Sequence, residues 1–335
     1  MTKRERVICA IKHSEPDFIP HNVGFTAESY AKMAAFYGDG NFAEKINNHI
    51  EEAGCDNYFV QAGPNLYKDI FGVVWDRSRD KDIGVIRDFV LREPDLTGFA
   101  LPKVDEKRLR ANYTALTAVK DRFRFATVGF SLFERAWTLC GMENVLTYML
   151  CEKEFLHSLL DLICERNLKI IKTALEYDID GFHFGDDWGQ QKGMIMGPVL
   201  WREFIKPRLQ RMYGAVKKAG KFVSQHSCGD IAEVFPDLID IGLDVYQTFQ
   251  PEIYGLDGVK KKFGSRLTFW GGISTQHVLA HGKPADVKKE MLNTMKIMGK
   301  GGGYILAPTH GIPADVSAEN IDMFIKIANG QSKTK

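Results

Sequence analysis

The chain alternates short apolar runs with long helical patterns, and this alternation limits its possible folds more than any other feature of its 335 residues. Most runs are apolar throughout and rich in β-branched or aromatic residues, which is typical of parallel strands covered on both faces. The expected strands cover residues 18–23, 57–60, 125–130, 181–185, 222–226, 245–249, 267–271 and 304–307. The clearest helical patterns lie at 142–177, 198–219, 286–298 and 318–328.

Eight strand–helix units in a chain of this length predict a (β/α)8 TIM barrel, in which the sheet closes on itself. One segment does not follow the strand–helix alternation. Residues 66–101 have the pattern of a β-hairpin inserted after the second strand, in a position to cover the barrel mouth. No linker or internal repeat divides the chain. We therefore expect a single domain over residues 1–335, with a polar tail at 331–335 that frays.

Charge and cysteine content exclude several classes of protein. Lys and Arg total 44 and Asp and Glu total 43, so the net charge of +1 gives no reason to expect a nucleic-acid partner. No uncharged apolar stretch approaches the ~18 residues of a membrane span, and we find no signal-peptide pattern. Six scattered cysteines indicate reduced thiols in a cytoplasmic protein. The oligomeric state stays open, with a homodimer as one alternative.

Four side chains that suit a zinc ion follow three of the expected strands. His226 and Cys228 come at the end of the fifth strand, Glu252 follows the sixth, and His310 follows the eighth. Active sites of (β/α)8 barrels lie at these carboxyl ends, and an N, S, O, N donor set suits tetrahedral Zn²⁺. A buried cysteine beside a hydrogen-bonded histidine is the alternative reading of the first pair. Glu252 follows a proline and can also simply begin a helix.

Further polar and aromatic residues at strand ends are expected to line the pocket. Asp186 and Asp187 follow the fourth strand, and neighbours on extended backbone point to opposite faces, so only one enters the pocket. We favour Asp186 as an acid or base, with a helix cap as its alternative role. His183 is a second catalytic candidate, although a core histidine is the more common role at such a position. The expected substrate-binding residues are His21, Asn22, Trp188, Gln250, Trp270 and Gln276.

Several stretches resemble the uroporphyrinogen decarboxylase superfamily, most closely its zinc-dependent, corrinoid-linked methyltransferase branch. These are residues 185–193, 226–230, 236–239, 250–252, 271–276 and 303–313. The resemblance covers nearly the whole chain and implies a (β/α)8 barrel with a deep pocket at the carboxyl ends of its strands. Decarboxylases of this superfamily are metal-free and bind substrate carboxylates through arginines in an early loop. Here that loop, residues 15–25, contains His21 and Asn22 but no arginine.

The resemblance also implies a ligand set and a reaction. The methyltransferase branch binds zinc through a His-x-Cys pair and a late cysteine, with a glutamate between; His226, Cys228 and Glu252 match, but His310 replaces the late cysteine. Exchanging a thiolate for an imidazole removes a negative charge and makes a stronger Lewis acid. This favours demethylation of a methoxylated (O-methyl, including aromatic) or N-methyl compound, with the methyl group passing to the Co(I) of a corrinoid (cobalamin) on a partner protein. Asp186 is expected to protonate or hydrogen-bond the leaving oxygen.

Two other functions stay open from the sequence. One is a metal-free decarboxylase in which Asp186 stabilises a cationic intermediate. The other is a non-catalytic barrel that binds a corrinoid or tetrapyrrole for a partner enzyme. In the favoured interpretation, the insertion at 66–101 and the barrel rim dock the corrinoid protein.

Overall fold

A curved sheet of parallel strands forms the centre of the computed structural model, which describes residues 1–331. Each strand pairs in parallel with its neighbours in chain order. In sheet order they are Ile50–Ala53, Phe123–Val128, Gly181–Gly185, Phe222–His226, Val245–Phe249, Thr268–Ile273 and Tyr304–Pro308. We number them as the second to eighth barrel strands.

The residues around His21 complete the barrel as its first strand. His21 forms a parallel bridge with Leu306 of the eighth strand, supported by hydrogen bonds from Leu306 N to Pro20 O (2.8 Å) and from Asn22 N to Leu306 O (3.0 Å). On the other side, His49 N donates to His21 O at 3.0 Å, just before the second strand. The sheet therefore closes, and the predicted (β/α)8 barrel is confirmed.

Helices surround the barrel. The segment 142–177, which we expected to form two helices, does so, whereas the helix expected at 198–219 is divided into two. The α-helices are Lys3–Ile11, Ala27–Tyr37, Glu106–Ala118, Phe133–Cys140, Met142–Cys151, Lys153–Ala174, Gly197–Phe204, Lys206–Lys218, Phe235–Asp240, Pro251–Tyr254, Leu256–Phe263, Val278–His281, Pro284–Met298 and Ala318–Asn329. Two short 3₁₀ helices cover Phe42–Ile46 and Ala232–Val234. No helix within residues 1–331 is both long enough and apolar enough to cross a bilayer.

The chain end is only partly described. The side chain of Gln331 accepts a hydrogen bond from Ile19 N (3.0 Å) and donates one to Ile19 O (2.9 Å), so this residue is tied to the first barrel strand. The other residues of the tail expected to fray, 332–335, lie outside the described residues.

The second barrel strand is not the segment expected from hydrophobicity. The prediction chose residues 57–60, but Ile50–Ala53 pairs with the third strand, and Phe59–Gly63 belongs to the insertion. The barrel strand was missed because two adjacent acids, Glu51 and Glu52, interrupt its apolar pattern. Glu51 points outward and pairs with Arg122 (2.6 Å), whereas Glu52 points into the barrel.

The insertion after the second barrel strand is larger than a hairpin. It is an antiparallel sheet of four strands, Phe59–Gly63, Leu66–Asp69, Val74–Asp76 and Val85–Asp88. Trp75 fixes its inner face to the barrel, where its ring contacts Phe130 just after the third strand, with ring centroids 5.9 Å apart. The insertion therefore stands at the carboxyl ends of the barrel strands.

The barrel interior is apolar at one end and polar at the other. Val7 and Ile11 of the first helix close the amino-terminal end and pack against inward-facing residues such as Ile50, Phe125 and Trp270. Because side chains alternate along a strand, the next inward positions lie one layer higher. At those positions the strands carry polar residues, including Glu52 and His226. The interior thus becomes polar towards the mouth, where chemistry is expected.

Candidate metal centre and adjoining cavities

Three of the four expected zinc ligands converge at the barrel mouth. His226 ends the fifth strand, Cys228 follows two residues later, and His310 follows the eighth strand. The Cys228 Sγ atom lies 3.6 Å from His226 Nε2 and 3.3 Å from His310 Nε2. All three donor atoms lie within 4.8 Å of one another, an arrangement that could hold a metal ion.

A network of backbone hydrogen bonds fixes the turn that contains these ligands. Ser227 N donates to Gln247 O (2.7 Å), and Gly229 N donates to the side chain of Gln250 (3.0 Å). Gly229 has a positive φ of 74° and packs directly on the backbone of Gly189, which belongs to a small hairpin formed by Gly189–Gln190 and Gly193–Met194. A side chain at Gly229 would overlap that backbone, so the turn requires glycine.

Gln247 and Asp187 orient the His226 ring. The amide oxygen of Gln247 is hydrogen-bonded to Nδ1, which directs Nε2 towards Cys228. Asp187 Oδ1 lies 3.2 Å from Nε2 and also accepts a hydrogen bond from Cys228 N at 2.8 Å. Burial opposes a charged imidazole, but the hydrogen bonds of Asp187 and Cys228 prevail and raise the pKa of His226 well above its usual value. Burial likewise opposes a charged Asp187, yet its bond to His226 lowers the pKa of this carboxyl to about 2.

Asp187, and not the expected Asp186, lies beside the metal ligands. Asp186 is fully buried, and its oxygens accept hydrogen bonds from the backbone N–H groups of Leu132, Phe133 and Glu134 (2.8–3.2 Å). It therefore caps the helix Phe133–Cys140, the alternative role that the sequence left open. Its neighbour points to the opposite face, as expected for extended backbone.

Glu252 stands apart from the converging donors. Within residues 1–331 the group that could hold a metal contains only the two histidines and the cysteine. Glu252 is exposed in the first turn of the helix Pro251–Tyr254, where Ser274 Oγ donates to it at 3.1 Å. Pro251 begins this helix, so the backbone turns away from the direction of the sixth strand. The Glu252 carboxylate therefore projects from the helix and not from the strand end.

Two adjoining cavities lie inside the barrel next to the donors. One, of about 160 Å³, is lined by residues that include Asn22, Trp270 and His310. The other, of about 260 Å³, reaches His226. His183 lines both and is hydrogen-bonded through Nδ1 to Ser224 Oγ at 2.8 Å. Three expected site residues (Asn22, His183 and Trp270) therefore do face the interior.

The other expected substrate-binding residues do not line these cavities. His21 is buried and hydrogen-bonded through Nε2 to Ile46 O at 2.9 Å. Trp188 is buried, and its ring N–H donates to Asp186 at 2.6 Å. Gln250 supports the turn at Gly229, and Gln276 lies on the exposed surface.

Glu52 is the cavity residue that the sequence did not reveal. It lines both cavities, and its accessible surface faces the inside of the barrel. Burial, and then the nearby charge of Glu51, raise the pKa of Glu52 to about 7, against a smaller lowering effect of His226. A signal for it existed, since an acid one residue from an outward-facing acid must point inward once the strand is located correctly.

A larger cavity, of about 800 Å³, lies elsewhere. It is bounded by residues 15–19 and the helices Pro284–Met298 and Ala318–Asn329, and it shares no lining residue with the donors. We place the chemistry at the mouth because the metal-ligand types and the groups with displaced pKa values are found there.

Comparison with known proteins establishes the family. The model of the uroporphyrinogen decarboxylase (URO-D) family matches residues 2–331. The chain belongs to the URO-D family. Two curated members are uroporphyrinogen decarboxylases, from Psychromonas ingrahamii (24% identical over 188 residues) and Pseudoalteromonas translucida (22% over 182 residues). Each alignment covers 52% of this chain and 48% of the relative, so the matched region spans about half of those proteins.

A solved structure shows the same URO-D fold. A methyltransferase from Methanosarcina mazei superposes with a TM-score of 0.72, covering 98% of this chain and 99% of the other. The sequence identity is 16%, so this similarity concerns the fold.

Proposed function

We propose that this URO-D family protein is a zinc-dependent methyltransferase that demethylates an O-methyl or N-methyl compound and passes the methyl group to a corrinoid protein. The observation that carries the proposal is the convergence of His226, Cys228 and His310 at the barrel mouth. Imidazole and thiolate are the ligand types that zinc prefers. The fold shared with a methyltransferase is consistent with this activity.

Both the types of donor atom and the hydrogen bonds around them suit a zinc ion. Metal-bound histidines are commonly held through their second ring nitrogen, and Gln247 holds His226 in this way. With two neutral imidazoles and one thiolate, the centre keeps one net positive charge. When bound, such a zinc ion supplies Lewis-acid polarisation of an oxygen or nitrogen substituent. This favours methyl ethers and methylated amines as substrates.

The chain itself positions the substrate. The two interior cavities, of about 160 and 260 Å³, share Glu52 and His183 in their linings and together form the space available to the methyl donor. Trp270 lines one of them and stacks on Phe125 with ring centroids 6.0 Å apart. Its rigid indole offers an apolar contact for the non-reacting part of the substrate. Asn22 and His183 supply polar atoms at the same level.

The outer face of the insertion is the proposed dock for the corrinoid protein. Strand register places Val60, Leu66, Val74 and Val85 on the face opposite Trp75, away from the barrel, together with the charged Lys68 and Asp76. Val60 is 59% exposed and Val85 is 63% exposed. Exposed apolar residues gathered beside an active-site mouth are typical of a protein-binding surface. We call these four residues the insertion face.

A metal-free decarboxylase is the second candidate, because the matched curated relatives have that activity. Porphyrinogen substrates carry several carboxylates, and buried carboxylates need cationic partners. Neither interior cavity is lined by Arg or Lys within the described chain, and both are lined by a carboxylic residue, Glu52, which would not attract substrate carboxylates. The cavity lining therefore favours methyl transfer over decarboxylation.

Removing one ligand tests the proposal. The wild-type protein should hold about one zinc per chain, as a single site of this type requires, whereas Cys228→Ala should lose most of the metal and its demethylation activity. The control is Cys151→Ala, since Cys151 is exposed at the end of the helix Met142–Cys151. Metal analysis and methyl transfer to cob(I)alamin are the measurements. Full activity in Cys228→Ala would refute the proposal, as would a cobalamin spectral change without any turnover.

A further inference from the structure

Glu52 is the carboxylic residue that lines both interior cavities. It projects from the second barrel strand into the space shared by both cavities, whose walls also include His183, His226 and His310. It thus faces the same space as His226 and His310, from the other side of the barrel interior. A group bound next to those ligands within the cavities has Glu52 as a neighbour.

The Glu52 carboxyl has no partner of its own. Among residues 1–331 we find neither a hydrogen bond nor an ion pair to it, and its side chain is accessible from the cavities. His183 is bonded through Nδ1 to Ser224, and Gln247 is bonded through its amide oxygen to His226, so neither holds the carboxyl. A carboxyl that is accessible from the cavities and free of protein partners can contact a group bound there.

We propose that Glu52 is the catalytic acid of the demethylation and donates its proton to the oxygen or nitrogen from which the methyl group departs. This inference rests on the proposed function. The bond between methyl carbon and heteroatom breaks, and its electron pair stays on the heteroatom. The new carbon–cobalt bond takes its pair from the Co(I) of the corrinoid partner, which is oxidised to Co(III). The proton from Glu52 completes the alcohol or amine product, and solvent reprotonates the carboxylate.

The surroundings of Glu52 keep a useful fraction protonated at neutral pH. The titratable groups facing it are His183, His226 and His310 from three other strands, with Glu51 beside it on its own strand. The other strands bring only neutral side chains, those of Asn22, Thr127, Gln247 and Trp270. With its pKa raised to about 7, chiefly by burial, Glu52 is close to the optimum for a general acid at physiological pH.

The protonation state separates this role from its main alternative. A general acid must carry the proton, so the wild-type rate should fall as pH rises through about 7. An ionised Glu52 that merely paired with a cationic methylated amine would give the opposite result, with binding that strengthens over the same interval. That outcome would overturn the proposal.

Glu52→Gln is the test variant, because the amide keeps the size and polarity of the side chain but cannot donate the acidic proton. Glu51→Gln is the matched control, since Glu51 lies next along the strand and faces outward to Arg122. The assay follows single-turnover methyl transfer to cob(I)alamin from methyl phenyl ethers whose phenols have decreasing pKa. We expect Glu52→Gln to lose about 10²–10⁴-fold with the poorest leaving group, the usual contribution of a general acid.

Two features should identify the chemical role. The loss in Glu52→Gln should shrink to a few-fold for the most acidic phenol, which needs no proton, and its pH profile should be flat near 7. Glu51→Gln should keep the wild-type dependence on the leaving group, with a pH profile shifted to slightly lower pH because the charge of Glu51 raises the pKa of Glu52. A wild type that demethylates these ethers while Glu52→Gln keeps the same rate and pH profile would refute the role of Glu52 but leave the proposed function standing.

A readout independent of activity completes the experiment. Isotope-edited infrared spectra of ¹³C-glutamate protein should show a carboxyl titrating near pH 7 that is absent in Glu52→Gln and present, at a slightly lower pH, in Glu51→Gln. Zinc content and thermal unfolding should be the same in both variants. If the wild type neither binds zinc nor demethylates any ether or amine, the proposed function fails and the role of Glu52 fails with it.

Discussion

At the residue scale, Gly229 determines where the Cys228 thiol can lie. Its positive φ and its contact with the backbone of Gly189 leave no room for a side chain. We expect Gly229→Ala to push the turn away from the small hairpin, which displaces Cys228 from the two histidines. Metal affinity should fall by 10-fold or more, in the range seen when the supporting shell of a metal site is disturbed. Chelator competition measures it.

Gly214 provides the matched control for that substitution. It lies inside the helix Lys206–Lys218, and an added Cβ would meet no atom within 4 Å. Gly214→Ala should therefore leave metal affinity unchanged and stabilise the protein by about 0.5–1 kcal/mol, because alanine favours helix. Equal metal affinity in Gly229→Ala and Gly214→Ala would contradict the role assigned to the turn.

The pair Asp186 and Asp187 shows what residue-level reasoning can and cannot predict. Alternation on extended backbone correctly predicts that the two carboxylates diverge. Which of them turns inward depends on the neighbouring helix Phe133–Cys140, whose free N–H groups bind Asp186. Because Asp186 binds the amino terminus of this helix, Asp187 points the other way and contacts His226.

At the element scale, a buried ion pair attaches the insertion to the barrel. Arg135 of the helix Phe133–Cys140 contacts Asp69 of the insertion at 3.1 Å, and both side chains are at most 3% exposed. Asp69 also accepts a hydrogen bond from the ring N–H of Trp75 (3.3 Å). Asp69→Asn leaves Arg135 charged and uncompensated, so we expect a loss of about 3–5 kcal/mol in unfolding free energy. Denaturant unfolding and protease cleavage within residues 59–88 would detect it.

Asp88→Asn is the control for that change. Asp88 lies on the last strand of the same insertion and pairs with Arg92 at 3.8 Å, but both side chains are more than half exposed. Exposed pairs contribute about 0–1 kcal/mol, so this variant should behave nearly as the wild type. If the two variants unfolded alike, the buried pair would not be what holds the insertion.

Elements were predictable from the sequence to different degrees. The fourth, fifth and sixth strands (Gly181–Gly185, Phe222–His226 and Val245–Phe249) have the predicted bounds, because each is a short stretch with aromatic or β-branched residues between turn-forming residues. Ile50–Ala53 was not predicted, since its inward position is an acid in the polar layer of the barrel. Strand prediction depends on apolar residues at inward positions. Because Glu52 stands at such a position, the strand lacks the expected hydrophobic pattern.

At the scale of the whole molecule, the insertion face should control access of the corrinoid protein. Val85→Glu replaces an exposed apolar side chain of this face by a charge next to Asp76, so we expect a several-fold rise in KM for the corrinoid partner. Transfer to free cob(I)alamin should stay unchanged, because that acceptor needs no docking surface. Steady-state kinetics with the two acceptors is the measurement.

Leu292→Glu is the control, since Leu292 is also an exposed apolar residue (49%) but lines the separate cavity next to residues 15–19. It should affect neither acceptor. An equal rise in KM for both variants would place the dock away from the insertion face.

The barrel, the existence of an insertion and the types of metal ligand available at strand ends can all be inferred from the amino-acid sequence. These follow from local patterns: the alternation of apolar runs with helices, and the chemistry of His226, Cys228 and His310. Which acids belong to the site depends on the tertiary structure. It placed Glu52 and Asp187 by the ligands, buried Asp186 under a helix and left Glu252 on the surface. The direction of a side chain depends on strand register and on contacts with distant segments, and neither is contained in the local sequence around an acid.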